Sequence, residues 1–130
     1  MSQVRQQVSD GAVFAGFNNT GSDIAANTVV CKSTVAADVD GIVLPTDHAT
    51  PSIGVTLELI KNGARGDVQR GGGLAIGLTA ATINDGDQLE TTSTGAIQTL
   101  TGGGKQIGIA NGTFTGVGVQ AEFIPRFPSS

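Results

Sequence analysis

Two stretches of the chain alternate strictly between apolar and small or polar residues, and this pattern limits the fold more than any other feature. Within 52–60, the apolar members are Ile53, Val55, Leu57 and Leu59. A period of two residues is that of a β-strand with one buried face. The opening of the pattern returns at 106–109, and a further alternation runs from Val117 to Phe123. Two similar strands predict two similar halves.

Other short matches occur in the same order along the two halves. The matched segments are 24–30 with 83–89, 41–42 with 96–97, 53–55 with 107–109, and 66–68 with 116–117. The intervals between them differ by a few residues, which loops absorb at small entropic cost. A stacked solenoid needs three or more copies, so it is disfavoured. We therefore predict a small β-sandwich or β-barrel of about eight to ten short strands, with an internal two-fold pseudo-repeat.

Turn-forming residues favour an all-β fold. Glycine occurs 20 times, and together with Asn, Asp and Thr it marks the tight turns between short strands. The best helical stretch, 34–40, contains β-branched and aspartate residues and stops at Gly41. It is therefore not expected to exceed about two turns. The prediction is an all-β protein with little or no helix.

The chain divides into three parts. Residues 1–10 are polar and lack strand alternation, so we expect an N-terminal arm that needs a partner to order it. Residues 11–124 are predicted to form a single β domain, because a chain of 130 residues can bury one core without cross-links. Residues 125–130 are a C-terminal tail punctuated by prolines.

Charge and composition argue against several classes of partner. The net charge is −4, and the seven cationic side chains are dispersed, whereas nucleic-acid binding needs a clustered basic face. No apolar window approaches the length of a membrane span, and the N-terminus has no signal-peptide pattern. We expect neither nucleic acid nor membrane as a partner. Cys31 is the only cysteine, which excludes an intrachain disulfide and agrees with a reducing compartment.

The candidates for catalysis each have a simpler structural interpretation. His48 is the only histidine, and its proline-bounded loop offers only Asp47 as a partner carboxylate. A general base needs an orienting carboxylate and a nucleophile, so an exposed structural histidine is expected instead. Cys31 lies in a valine-rich strand, where a small buried side chain is expected rather than a catalytic thiol.

Acidic and glycine-rich stretches are equally weak as binding sites. Asn84, Asp85, Asp87 and Glu90 could offer oxygens to a cation, but their spacing differs from that of a calcium loop, and a polar turn is expected. The triplet 71–73 lacks the Gly-Lys-Ser/Thr ending and the following helix of a phosphate-binding loop. We therefore expect no enzyme activity, no cofactor and no metal.

A set of short turn-and-strand phrases carries a family resemblance. They are Ile53-Gly54-Val55, Gly66-Asp67-Val68, Ile83-Asn84-Asp85-Gly86-Asp87-Gln88-Leu89, Thr94-Gly95-Ala96-Ile97 and Gln106-Ile107-Gly108-Ile109-Ala110. In this order they resemble the small capsid decoration, or cement, proteins of tailed bacteriophages, over residues 11–124. The chain departs from the common pattern in its long 61–73 segment and its proline-rich tail.

The resemblance implies a non-enzymatic structural protein of the virion. Such a protein is made in the host cytoplasm, binds the outer surface of an assembled phage capsid and reinforces contacts between major capsid subunits. The major capsid protein is then its partner, and a homo-oligomer is expected, with a homotrimer favoured. The contact candidates are Val4, Arg5 and Val8 in the arm, with Phe123, Ile124 and Phe127 at the C-terminal end. Packing over the end of the barrel is the alternative for Phe127.

Two other classes of function share the predicted fold class. A receptor- or carbohydrate-binding β-module of a phage fibre or tail is the main alternative. Sugar sites usually present Trp or Tyr faces, and the chain has neither residue. A small hydrolase is disfavoured by the single histidine and the single cysteine.

Overall fold

The computed structural model describes residues 12–127. Within them the chain forms ten β-strands and no helix. The strands are β1 (Val13–Asn18), β2 (Val29–Lys32), β3 (Gly41–Val43), β4 (Ser52–Thr56), β5 (Arg65–Gln69), β6 (Ala75–Leu78), β7 (Gln88–Thr91), β8 (Ile97–Thr99), β9 (Gly108–Ala110) and β10 (Gln120–Pro125). The prediction of an all-β fold with about eight to ten short strands is confirmed.

The first five strands close into a barrel in the order β1-β3-β2-β4-β5. β1 runs parallel to β3 and antiparallel to β5, which closes the barrel, while the other neighbours are antiparallel. The barrel interior is aliphatic and contains Ile24, Val30, Ile42, Ile60 and Val68. Closure leaves the barrel without unpaired edge strands.

The second five strands form a five-stranded sheet with the matching strand order β6-β10-β9-β7-β8. Each strand occupies the place of the strand five earlier, so β6 matches β1 and β10 matches β5. A parallel bridge between Thr79 and Ile97 brings β8 beside β6, where β3 lies beside β1 in the first barrel. The predicted internal pseudo-repeat is therefore present in the strand topology.

Several of the matched segments occupy equivalent places. The bridge between Ile24 and Ile60 returns as a bridge from Ile83 to Phe114. Turns with a left-handed residue precede β2 and β7 at the same distance, as expected if 24–30 matches 83–89. The residues are Asn27, with φ 60°, and Gly86, with φ 85°. Glycine and asparagine are the residues that adopt this conformation most readily.

One of the predicted matches is wrong. Gly66 of β5 and Ala121 of β10 each lie opposite a glycine, of β1 and β6 respectively. The segment 66–68 therefore corresponds to 121–123, and not to 116–117. The latter pair lies in the loop before β10, where a glycine with φ 101° makes a turn. Residues 116–117 resemble 66–68 only in local composition.

The alternation at 52–60 and the stretch 34–40 also differ from expectation. β4 ends at Thr56, and Leu57 and Leu59 are exposed. The Glu58 carboxylate accepts a hydrogen bond from the Asp67 amide at 2.9 Å, so this part of the chain forms a loop fastened to β5. Residues 34–40 form successive turns, which agrees with their poor helix propensity.

The second sheet packs against the outer face of the barrel. Val29 and Val55 belong to β2 and β4, but their side chains join the core of the second half. The Val29 amide also donates a hydrogen bond to the Gly95 carbonyl at 2.8 Å. The second core further contains Ala75, Ile83, Leu89, Ile97, Ile107, Ala110, Ala121 and Phe123.

Candidate functional site

A buried carboxylate is the most connected polar group of the described chain. Glu90 lies in β7 with no exposed surface, whereas the sequence predicts a polar turn around it. Its oxygens accept hydrogen bonds from Gln98 Nε2 at 2.6 Å, from the Thr101 amide at 3.2 Å and from the Thr101 hydroxyl at 3.0 Å. His48 Nδ1 lies 3.2 Å from Oε1. A buried ionised carboxylate is tolerable only with such a set of partners.

The fold brings these groups together from both halves. Glu90 lies opposite Gln98 in the β7–β8 pair, and Thr101 follows β8 in the turn toward β9. His48 comes from the loop between β3 and β4 of the first barrel. The backbone carbonyl of His48 accepts a hydrogen bond from the Lys105 amide at 3.0 Å. A Cβ at Gly104 would collide with the Glu90 carboxylate. Glycine is therefore required for the turn to close over the carboxylate.

The electrostatics of Glu90 favour its charged form. Burial alone would raise the pKa of Glu90. The hydrogen bonds from the Thr101 amide, Gln98, the Thr101 hydroxyl and His48 outweigh this effect, and the pKa lies below its ordinary value. The carboxylate is therefore ionised at neutral pH and ties the His48 loop of the barrel to the second sheet.

This cluster does not have the geometry of a catalytic triad. His48 Nδ1 lies 3.1 Å from Thr101 Oγ1 as well as 3.2 Å from Glu90. In a triad, the carboxylate and the nucleophile engage different ring nitrogens, so that the ring can relay a proton. Here both contacts fall on one nitrogen. Asp47, the carboxylate suggested by the sequence, instead accepts a hydrogen bond from the Ala49 amide at 2.8 Å.

The remaining chemical candidates have structural roles. Cys31 is buried, as predicted, and burial raises the pKa of its thiol. Asp87 accepts hydrogen bonds from the Asn84 amide and the Thr99 hydroxyl, within the predicted polar turn. Among residues 12–127, no three His, Cys, Asp or Glu side chains are grouped so that they could hold a metal ion. The same part of the chain contains no helix long and apolar enough to cross a membrane.

The structure separates the three C-terminal contact candidates. Phe123 has no exposed surface and fills the second core, so its proposal as a surface contact is wrong. Phe127 is half-buried and packs edge-on against Phe123, with ring centroids 6.1 Å apart at 77°. Ile124 is 42% exposed on β10. The arm candidates Val4, Arg5 and Val8 lie outside the described residues.

An apolar row crosses the outer face of the second sheet at Ile124. Ile124 pairs with Ile109 on β9, and continuing the β6–β10 register places Leu74 on its other side. Leu74 is exposed because β6 turns its small residues Ala75 and Gly77 inward. We call Leu74, Ile124 and Ile109 the outer apolar row. Cross-strand neighbours of this kind lie about 5 Å apart, so the row forms one surface.

The equivalent face of the first barrel is covered at one end. The pairing of Val30 with Gly54 in the first barrel returns as Leu89 with Gly108 in the second. Val55 is therefore the counterpart of Ile109, and Val55 is buried against the second core. The fold thus packs the Val55 end of this face in the first half, whereas Val13, the counterpart of Leu74, is 37% exposed.

The described residues form two five-stranded units of one topology, and a solved structure shares this class of fold. No protein-family model matches the chain, and no curated protein matches it in sequence. The chain is similar to the N base of the head fiber protein gp8.5 of bacteriophage phi29, with a TM-score of 0.68 and 16% identity. The match covers 91% of this chain and 97% of that one. At this identity, the likeness shows that the two chains share a fold.

Proposed function

We propose that the protein is a non-enzymatic structural component of a phage virion that binds the outer surface of the assembled head and reinforces contacts between major capsid subunits. The observation that carries the proposal is the fold shared, over nearly all of both chains, with a domain named as the base of a phage head fiber. The short sequence segments that resemble cement proteins independently support a location on the phage head.

The polar cluster supports a structural role over an enzymatic one. The carboxylate of Glu90 is fully buried and its partners lie within the fold. Substrate would have to displace these partners to reach it. The cluster is suited to holding the His48 loop of the barrel against the second sheet, so that the two units attach together.

The outer apolar row is the proposed capsid contact. It retains Ile124 from the sequence-based candidates and adds the exposed Leu74 and the half-buried Ile109. Exposed apolar surface that is contiguous across strands is typical of interaction sites. A protein that binds only the assembled shell stabilises that state by mass action. A homotrimer would multiply a modest contact through multivalency.

A binding experiment with shells tests the proposal. Purified protein is mixed with phage heads assembled without it, and bound protein is measured after sedimentation. Wild-type protein is expected to bind at saturable sites. Ile124→Asp is expected to weaken binding at least about tenfold, which corresponds to about 1.4 kcal/mol. Val117→Asp is the matched control, because Val117 is 78% exposed in a loop outside the row.

The possible outcomes test shell binding and the outer apolar row separately. Failure of wild-type protein to bind any shell would overturn the proposed function. Equal weakening by both substitutions would leave shell binding standing and reject the row as its contact. Melting temperatures of both variants verify that each remains folded.

The similar structure is part of a head fiber protein. This favours one alternative function for the present chain, a receptor- or carbohydrate-binding module. Such a module would bind host cells or glycans in the same sedimentation format. Binding to cells without binding to shells would support it.

A further inference from the structure

Two asparagines of the chain are followed directly by glycine, at Asn62-Gly63 and Asn111-Gly112. In such a pair, the backbone nitrogen of the glycine can attack the side-chain amide carbon of the asparagine, because both atoms are held close together and glycine has no side chain to hinder the approach. Asparagine is one of the thermolabile residues. Both asparagines are exposed, and φ is 84° at Gly63 and 130° at Gly112. The two pairs therefore have similar local chemistry.

The fold restrains both reacting groups of Asn62-Gly63. The Gly63 amide donates a hydrogen bond to the Asn18 carbonyl at 2.6 Å. The side-chain carbonyl of Asn62 accepts a hydrogen bond from the Gly21 amide at 2.8 Å. Attack requires the Gly63 nitrogen to lose its proton and the Asn62 side chain to rotate toward it. Both hydrogen bonds must therefore open before this pair can react.

Asn111-Gly112 lacks these restraints. Among residues 12–127, neither the Asn111 side chain nor the Gly112 amide has a hydrogen-bond partner, and the Asn111 amide donates to the Glu122 carbonyl at 2.9 Å. A φ of 130° at Gly112 favours glycine, and a Cβ there would meet the Phe114 ring at 3.0 Å. The fold therefore requires glycine at 112 and leaves the preceding asparagine side chain unrestrained.

We propose that Asn111 is a site of deamidation in the folded protein, whereas Asn62 is protected. The Gly112 nitrogen gives up its proton to water and forms a bond to Cγ of Asn111, and the side-chain nitrogen takes up a proton and leaves as ammonia. Water then opens the resulting succinimide ring at one of its two carbonyls. Opening at the backbone carbonyl gives isoaspartate at 111, and opening at the former side-chain carbonyl gives aspartate. Water is the only co-reactant.

Either product places a new negative charge on the outer face of the second sheet. Asn111 follows β9 two residues beyond Ile109, so the strand alternation places both residues on one side. The hydrogen bond from its amide sets Asn111 opposite Glu122, whose carboxylate is exposed, and like charges directly opposite each other are unfavourable. The new carboxylate also adjoins the outer apolar row through Ile109. A consequence that rests on the proposed function is that deamidated protein binds shells more weakly than fresh protein.

Peptide mapping by mass spectrometry measures the two deamidation rates side by side after incubation of the purified full-length protein in mildly alkaline buffer. In the folded protein, Asn111 is expected to react at least about tenfold faster than Asn62, which corresponds to about 1.4 kcal/mol for opening the restraints at Asn62. In concentrated urea neither restraint survives, so the two rates should converge. The product at 111 should include isoaspartate, because direct hydrolysis of the side chain would give aspartate alone.

The inference is overturned if Asn62 reacts as fast as Asn111 in the folded protein, if Asn111 reacts only in urea, or if its product contains no isoaspartate. Shell binding tests the consequence separately. Asn111→Asp is expected to weaken binding at least about threefold, because the added charge must lose water beside the row, whereas Asn62→Asp carries the same new charge in the first half and should bind like wild type. Equal binding by both variants would refute the consequence for attachment. Failure of wild-type protein to bind shells would instead count against the proposed function, and it would leave the comparison of rates unaffected.

Discussion

Replacing Glu90 by Gln removes the charge from the buried cluster while keeping the size of the side chain. The carboxylate accepts hydrogen bonds from Gln98, from the Thr101 amide and from the Thr101 hydroxyl, with no exposure to water. A Gln side chain must turn its NH₂ group toward at least one of these donors. Hydrogen bonds to a charged group contribute about 1.5–3 kcal/mol, and a buried unsatisfied donor costs a similar amount.

We therefore expect Glu90→Gln to lower the free energy of unfolding by about 2–3 kcal/mol at pH 7. Unfolding entropy is about 2.1 cal/mol/K per residue, so for this chain the loss equals about 7–11 °C in melting temperature. Differential scanning calorimetry measures both quantities. Glu122→Gln, an exposed change on β10, is the matched control and is expected to stay within about 0.5 kcal/mol of wild type.

The pH dependence gives the prediction a second readout. The pKa of Glu90 is lower in the folded protein than its ordinary value, so its stabilising contribution is fully present above the unfolded pKa of about 4.3. The contribution is lost as pH falls through the folded pKa, because the wild-type side chain then becomes neutral too. The difference between wild type and Glu90→Gln should therefore shrink in acid. Equal stability at pH 7, or a difference that persists unchanged into strong acid, would refute the reasoning.

Further predictions concern the core of the second half, the C-terminus and binding to the capsid. Gly108→Ala is expected to cost about 1–3 kcal/mol in urea denaturation, because its Cβ would meet the ring of Phe123 at 2.6 Å. Gly102→Ala, with nothing within 4 Å, should change stability by less than about 0.5 kcal/mol, and equal effects would contradict the packing. Phe127→Ala should lower the melting temperature and spare shell binding, because its ring packs on Phe123; normal melting with weakened binding would reverse that assignment. Raising salt to about 1 M, where the Debye length is about 3 Å, should change capsid occupancy little, and release of most bound protein would instead indicate ion pairs.

The sequence predicts the period of the strands better than their phase. Alternation in 74–78 correctly indicates a strand, yet Leu74 and Ile76 point outward and Ala75 is buried. The core of the second half is filled by large side chains such as Phe123, so β6 must present small ones. Local hydrophobicity does not indicate how much of the core volume the facing strands fill. The sequence therefore predicted only one member of the outer apolar row, Ile124.

The polar cluster depends on contacts that are remote in sequence. His48 and Glu90 are 42 residues apart, and they belong to different halves of the pseudo-repeat. Two features of the sequence could have suggested that Glu90 is buried. Glu90 lies inside a strand, and Gly104 allows a turn to approach it closely. Alternation and turn residues indicate the strands, whereas the contacts of loops between the two halves follow from tertiary packing.

Cryo-electron microscopy of native phage particles containing this protein tests the proposed location most directly. The account predicts density for the two five-stranded units on the outside of the head, with the outer apolar row of Leu74, Ile124 and Ile109 against the major capsid protein. Density for the fold on the tail, or on the head with that row facing solvent, would contradict the account.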